Sequence, residues 1–377
     1  LYISYLTDHG WSTPENLGEV INTEAWESAP CLSPDKQDLY FASNRSGGFG
    51  KSDIYVCHMQ PNGKFGPPVN AGPEINTAGS ESCPFIHADN QTLYFTSDGH
   101  IGYGGDDLFL VRKNGAGWSP AENLGYPINT IENEGSMVIS SNGQTAYYAS
   151  DRSDSRGGLD LYSFELREDI RPIKTLWVKG KVFDAKTKQG LPSAVELTDL
   201  TTQKIISRVQ TDETGNYLTT LPVGKDYGFN VTRKGYLFYS DNFPLTNKAD
   251  STYNIDIPLQ PLQANATVVL KNIFFDVNSA ELRKESYPEL ANIIRLLKEN
   301  NTLKVSINGH TDNTGKPADN LKLSNDRARS VVQYLTSQGI DAKRLVSKGF
   351  GSTEPIADNN TEEGKAKNRR TEMKVLN

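Results

Sequence analysis

"GHTDNTGKPADNLKLSNDRARS", residues 309–330, decides how the last third of the chain is read. Just before it, "LKVSIN" has the composition of a strand. After it, "NLKLSNDRARSVVQYLTSQG" carries Leu323, Ala328, Val331, Val332 and Leu335 at helical spacing, with Gly339 placed to end the helix. Strand, turn and helix put Asp312 just past a strand end, where α/β folds place ligand sites. Arg327 falls in the first turns of the helix, and the turn at 313–319 can fold the two toward one pocket. Such a pair can neutralise itself as a structural ion pair. It can equally hold a zwitterion, Asp312 taking an ammonium and Arg327 a carboxylate. Each charged hydrogen bond of that kind contributes about 1.5–3 kcal/mol. The residues alone leave both readings open.

Outward from this stretch, helices and strands alternate. "TVVLKNIFFDV" (267–277) reads as a strand. "SYPELANIIRLLKENN" (286–301) reads as a helix, with Leu290, Ile293, Ile294 and Leu297 on one face. Ser286 and Glu289 have the spacing of a capping box, and Pro288 suits a first turn. "KRLVSKGFG" reads as a strand, "EEGKAKNRR" as a short helix and "TEMKVLN" as a closing strand. The expected fold is an α/β two-layer domain, parallel where helices make the crossovers.

"FFDVNSAEL", "INGHTDNTG", "NLKLSNDRARSVVQYL", "GIDAKRLVSKGFGSTEPIADN" and "EEGKAKNRRTEM" together resemble the OmpA-like peptidoglycan-binding domain. The resemblance implies binding of diaminopimelate in the cell-wall stem peptide. It places the ligand-binding acid on Asp312 and the arginine on Arg327. Supporting pocket positions fall on Asp276, Thr311, Asn320 and Val331. Arg369 and Arg370 match the family's Asn-Arg-Arg stretch and are read as structural. His310, beside Thr311, is read as orienting the pocket wall.

The front of the chain repeats itself. "GWSTPENLGEVINT" (10–23), "KFGPPVNAGPEINT" (64–77) and "GWSPAENLGYPINT" (117–130) are one motif, its asparagines Asn22, Asn76 and Asn129 spaced 54 and 53 residues apart. Each copy is followed by a block such as "DLYFASNR" and closed by another holding Asp53, Asp107 or Asp160. The opening "LYISYL" matches the closing block, Leu1 and Tyr2 standing for Ile54 and Tyr55. Short strands between Pro/Asn/Gly turns, in units of about fifty residues, are the pattern of a β-propeller blade. They resemble TolB-like, WD-type propeller repeats. The "GGFGKS" at 47–52 lacks the first glycine of a phosphate-binding loop, Arg45 standing there, so its glycines belong to a turn. The repeated aspartates are read as turn formers rather than cation ligands, and Trp11 and Trp118 as packing residues.

From Trp177 the rhythm changes to short alternating strands with turns at Gln189-Gly190, Thr214-Gly215 and Val223-Gly224. A small antiparallel sandwich follows, which resembles the carboxypeptidase regulatory-like module. Asp212 and Asn216 belong to a turn. "PLQPLQANA" (258–266) reads as a linker. The expected architecture is therefore multidomain: an all-β propeller over 1–170, a β-sandwich over 171–260 and the α/β OmpA-like domain over 261–377. That order is similar to the PorE family of envelope lipoproteins associated with type IX secretion. It implies a periplasmic protein at the outer membrane, with propeller and sandwich offering surfaces to secretion proteins. The tetratricopeptide segment of that family has no counterpart in these residues.

The totals agree. Of 39 basic and 46 acidic side chains, 18 and 14 lie from residue 265 onward, so a tail of net +4 follows a front of net −11. An acidic front argues against nucleic acid as a partner. No apolar run is long enough to span a bilayer. The chain opens on Leu1 without a signal peptide, so it is expected to be part of a longer precursor whose export signal or lipid anchor lay upstream. Cys31, Cys57 and Cys83 have no disulfide or metal spacing. His9, His58, His87, His100 and His310 belong to no hydrolase motif. A non-catalytic protein without cofactor or metal is expected, the alternative being a propeller-based hydrolase or glycan-binding protein.

Overall fold

The computed structural model describes residues 1–7, 10–60, 62–245 and 252–376. Contacts divide the chain into two units: residues 1–177 with 220–223, and residues 178–219 with 224–377. Both are rich in β-structure, in many small sheets with no closed barrel among the described residues.

In the first unit each repeat builds an antiparallel sheet. β1 (Glu27–Leu32), β2 (Asp38–Ser43), β3 (Asp53–His58) and β4 (Val69–Asn70) form one sheet in that order. β5 (Glu81–Ile86), β6 (Thr92–Ser97) and β7 (Asp107–Asn114) form the next, where β8 (Gly117–Trp118) and β9 (Glu122–Asn123) both pair with β7. β10 (Glu134–Ile139), β11 (Thr145–Ser150) and β12 (Asp160–Glu165) form a third, three-stranded sheet. The outer strands of the first two sheets, β4 in the four-stranded one and β8 and β9 in the five-stranded one, are thus lent by the opening motif of the following repeat.

The repeated polar residues hold this arrangement. Asn76 accepts from the Ile54 N–H at 2.8 Å and donates to the Ile54 carbonyl at 2.9 Å. Asn129 does the same to Leu108 at 2.8 and 2.9 Å. Asn22 brackets Leu1 likewise, which bears out the alignment of Leu1 with Ile54. The carboxylates of Glu81 and Glu134 collect a threonine N–H, its hydroxyl and a serine hydroxyl. The repeated aspartates serve turns: Asp53 accepts from the Phe49 N–H at 2.5 Å and Asp107 from the Tyr103 N–H at 2.6 Å. Trp118 lies edge-on to Tyr40, at 6.4 Å between centroids. Trp11 departs from the packing expectation. It is 72% exposed, because no counterpart of Tyr40 lies beside it among the described residues.

The second unit begins with two sheets. β13 (Thr175–Asp184) pairs with β16 (Asn216–Pro222) and, in parallel, with β19 (Tyr253–Asn254) and β20 (Ile257–Leu259). β15 (Ile205–Gln210), β14 (Ala194–Asp199), β17 (Lys225–Thr232) and β18 (Tyr239–Leu245) form an antiparallel sheet in that order. The all-antiparallel expectation fails at β13. The expected linker fails too: residues 257–259 are a strand, the Gln260 carbonyl accepts from Leu237 N–H at 2.8 Å, and Ala266 is buried in the core that follows. Leu262 packs against that core, so apolar anchoring removes the freedom its prolines suggested.

The tail sheet runs β21 (Thr267–Val269), β24 (Thr371–Val375), β22 (Val305–His310), β23 (Leu345–Gly351). α1 (Tyr287–Glu299) and α2 (Pro317–Ser337) pack on it, and α2 makes the crossover that joins β22 to β23 in parallel. Leu290, Ile293, Leu297, Val305, Ile307, Ala328, Val331 and Leu335 are all fully buried between these layers. Gly309 and Gly349 permit the close approach of α2: a Cβ on either would sit 2.3 Å from the backbone of Ser324 or Asn325. Gly339 ends α2 at φ +87° as expected. α3 (Glu362–Asn368) completes the domain.

Two details of the tail differ from the sequence reading. The strand expected over 267–277 stops at Val269. The capping box does not form: Ser286 Oγ accepts from the Phe274 N–H at 2.8 Å and caps no helix N–H. Glu289 is instead buried, accepting from Ser240 Oγ of β18 at 2.5 Å and from Asn272 Nδ2 at 3.3 Å. Burial pushes its carboxyl up to about 7.

Candidate functional site

The shortened β21 leaves residues 274–283 to run beside the middle of α2, where Arg327 stands: the helix starts already at Pro317, so Arg327 lies mid-helix and not in the first turns expected from the sequence. A cleft of ≈ 660 Å³ lies there, lined among others by Asp276, Thr311, Asp312, Asn320, Arg327 and Arg369. Five of the six positions named from sequence therefore meet at one place. Val331 does not join them: it is fully buried in the core, one turn along α2 from Arg327 on the inward face. His310 is also absent from the lining. Its ring stacks on Phe350 at 5.0 Å, with Nε2 3.5 Å from the Glu372 carboxylate. His9 lies outside the described residues.

Asp312 follows directly on β22, as the strand-turn-helix reading requires. It is 7% exposed. Its Oδ1 accepts from the Thr314 N–H at 2.8 Å and its Oδ2 from Arg369 Nη1 at 2.6 Å. Burial raises the carboxyl, but the hydrogen bonds from Arg369 and Thr314 outweigh it, and the pKa lies below the usual carboxylate value. Asn320 Nδ2 donates to the carbonyls of Asp312 (3.3 Å) and Thr314 (3.0 Å), and Thr311 Oγ1 donates to the Asp312 carbonyl at 2.9 Å. These two polar residues fix the loop rather than extend the charge.

Arg327 is held from the other side. Its Nε donates to the Ser279 carbonyl at 2.9 Å and its Nη2 to the Asp276 carbonyl at 3.1 Å, while the guanidinium lies over the Phe275 ring at 5.0 Å. It forms no ion pair with Asp312. Asp276 contributes its carbonyl to this support, its side chain being 74% exposed. Desolvation, then the neighbouring Arg369 charge, lowers the Arg327 pKa, so the cation carries uncompensated charge.

The partner of Asp312 is Arg369, which the sequence reading took as structural. Only its neighbour has that role: Arg370 is bound to Glu372 at 2.6 Å and to the Glu354 carbonyl. Lys365 and Glu362 also line the cleft, and they pair with each other at 2.9 Å. One signal could have found Arg369: the two arginines of "NRR" are consecutive at the α3–β24 junction, so they cannot both face inward.

The site thus presents a fixed carboxylate flanked by two guanidiniums, one of them desolvated. Such a set suits a small ligand bearing both anionic and cationic groups. Among the described residues there is no cluster able to hold a metal and no helix long and apolar enough to cross a membrane.

Residues 274–369 match the OmpA family. A stretch of 102 residues is 43% identical to the probable lipoprotein YiaD of Escherichia coli, over 27% of this chain and 47% of that protein. A stretch of 136 residues is 37% identical to the peptidoglycan-binding protein ArfA of Mycobacterium tuberculosis, over 36% of this chain and 42% of that protein. The match thus spans less than half the length of either relative. Among solved structures, the cell wall anchor of the T6SS from Pseudomonas aeruginosa is 35% identical, over 29% of this chain and 78% of that one, with a TM-score of 0.26. The part of the chain that builds the cleft is thus similar to the OmpA family.

Proposed function

We propose that the chain is a non-catalytic tether that holds peptidoglycan through the tail cleft, with diaminopimelate of the stem peptide as ligand. The observation that carries this is the meeting of Asp312, Arg327 and Arg369 in one cleft of a region similar to the OmpA family. Asp312 takes the ammonium of the amino acid while Arg327, and Arg369 beside it, take its carboxylates. The match to a peptidoglycan-binding relative supports the same ligand class. Wall material is a lattice, so a modest single-site affinity anchors a set of copies through multivalency.

In this reading the protein works on the periplasmic side of the outer membrane, held there by a lipid anchor. The repeat sheets are blades of a propeller over 1–170, followed by the sandwich over 171–260. Both serve as scaffold surfaces for envelope proteins, with type IX secretion the process served. The repeated antiparallel sheets, of four, five and three strands, and the asparagine bonds shared by the first two support the blade reading.

The test is co-sedimentation of the full chain with purified peptidoglycan. Binding lost in Asp312→Ala and in Arg327→Ala, with unfolding transitions unchanged, supports the reading. Full retention by both variants refutes the site. Pull-down from native envelopes that yields the same protein with either variant supports the scaffold role separately.

A further inference from the structure

The charged groups that line the cleft do not cancel. Lys365 pairs with Glu362 at 2.9 Å and Arg369 with Asp312 at 2.6 Å. The Asp276 carboxylate faces Arg283, at 3.9 Å. Arg327 has no carboxylate partner among the described residues, since its two hydrogen bonds go to carbonyls. One positive charge is left in surplus at the cavity wall. The spare hydrogen-bonding groups lean the same way. Among the described residues Arg327 keeps Nη1 unused, and Arg369, which spends Nη1 on Asp312, keeps Nε and Nη2. The Asp312 oxygens can each accept a further bond. The cleft is therefore fitted for one cationic group and two anionic ones, each guanidinium being a planar fork that matches a carboxylate.

Diaminopimelate offers that set in one setting only. The carbon at its free end carries an ammonium and a carboxylate. The carbon that joins it to the stem carries a second carboxyl. Where the stem ends at this residue, that carboxyl is free and ionised. Where the stem runs on, it is locked in a neutral amide. The two guanidiniums differ in place as the two carboxylates do. Arg327 is half-buried and desolvated, while the Arg369 side chain is 46% exposed at the mouth of the cleft. A ligand tethered by its stem enters free end first, so its second carboxylate stays at the mouth, beside Arg369.

We infer that the cleft selects stem peptides that end at diaminopimelate, Arg369 reading the free α-carboxylate that a longer stem lacks. The inference rests on the wall ligand proposed above and adds its class: the trimmed stem rather than the extended one. A site discriminates by what it leaves unpaired as well as by what it pairs. An amide at this place gives the Arg369 fork one neutral oxygen instead of two charged ones. It also leaves in place the repulsion between the two guanidiniums, which already lowers the Arg327 pKa.

The experiment titrates the full chain, at neutral pH and by calorimetry, with three synthetic stems. One is the tripeptide ending at diaminopimelate, the second the same tripeptide with its α-carboxyl as carboxamide, the third the tetrapeptide extended by D-alanine. The free tripeptide is expected to bind about tenfold more tightly than either of the others. In Arg369→Gln its affinity should fall to that of the carboxamide, while the carboxamide binds the variant as it binds the native chain, which also shows that the variant is folded. Equal binding of tripeptide and carboxamide by the native chain overturns the inference and leaves the wall ligand standing. So does a tetrapeptide as tight as the tripeptide, or a preference that survives Arg369→Gln. Loss of all three ligands in Arg369→Gln makes that residue a support of Asp312 rather than a reader, and overturns it too. A native chain that binds none of the three overturns the wall ligand itself, and the inference with it.

Discussion

The joint at Asn129 and the cleft at Asp312 use similar polar chemistry to opposite ends. Asn129 is fully buried and directs its amide at the Leu108 N–H, the Leu108 carbonyl and Asn123. Nothing of it is left for a ligand. In the cleft, Arg327 spends Nε and Nη2 on two carbonyls, and Arg369 spends one nitrogen on Asp312 at the wall of an open cavity. Saturated polar groups in a core build structure, whereas charged groups held rigid beside a cavity are prepared for a partner.

The comparison breaks if Asn129→Ala is mild. Truncation leaves the Leu108 N–H and carbonyl buried without partners, and a loss on the order of 2–4 kcal/mol is expected for the repeat sheets in urea unfolding. Wall binding by the tail should survive under native conditions. Equal loss of both would mean that the two regions are not separable in this way.

Glu289 sharpens the contrast from inside the tail, as a buried carboxyl with no cleft beside it. With a native pKa of about 7 against an unfolded value near 4.3, the folded chain keeps its proton while the unfolded chain has lost it. Stability is greatest below about pH 4, falls as pH rises to about 7 and is then level. The fall is on the order of 3 kcal/mol. Glu289→Gln should flatten that segment of the stability–pH curve. An unchanged slope would show that Glu289 is not its source.

Arg369→Ala tests the cleft's own division of labour. The variant should bind wall fragments about tenfold less tightly. It should also raise the Asp312 pKa toward the ordinary carboxylate value, since the Arg369 hydrogen bond is the largest effect lowering it. The carboxylate binds in its charged form, so in the native protein binding is lost as pH falls through the depressed pKa. In Arg369→Ala the loss should come at higher pH, read in a binding–pH profile; an unshifted profile would leave Arg369 outside the site. The smallest effect is expected at Trp11. Trp11→Ala should change stability by no more than about 0.5 kcal/mol, whereas Trp118→Ala loses its contact with Tyr40 and should cost about 1–3 kcal/mol.

The tail was largely legible because helical and strand periods differ and its motifs fall at their junctions. Asp312, Arg327 and the α2 face could be placed from spacing and resemblance. What the sequence concealed are choices between equivalent local chemistries. Ser286 and Glu289 have capping-box spacing, yet tertiary burial against Ser240 claims the glutamate. "FFDV" has strand composition, yet its backbone carbonyl at Asp276 is needed by Arg327. Val331 and Arg327 lie four apart on one face of α2, and only packing decides that Arg327 ends at the cleft while Val331 ends in the core. In the repeats, internal alignment predicted that Leu1 stands for Ile54, and Asn22 treats it so.

The most direct test of the central claim is calorimetry of the full chain with a soluble muramyl peptide containing diaminopimelate, beside the same titration of Arg327→Ala. Saturable heat for the native chain, absent in the variant, is the predicted result. No heat from the native chain, or equal heat from both, would contradict it.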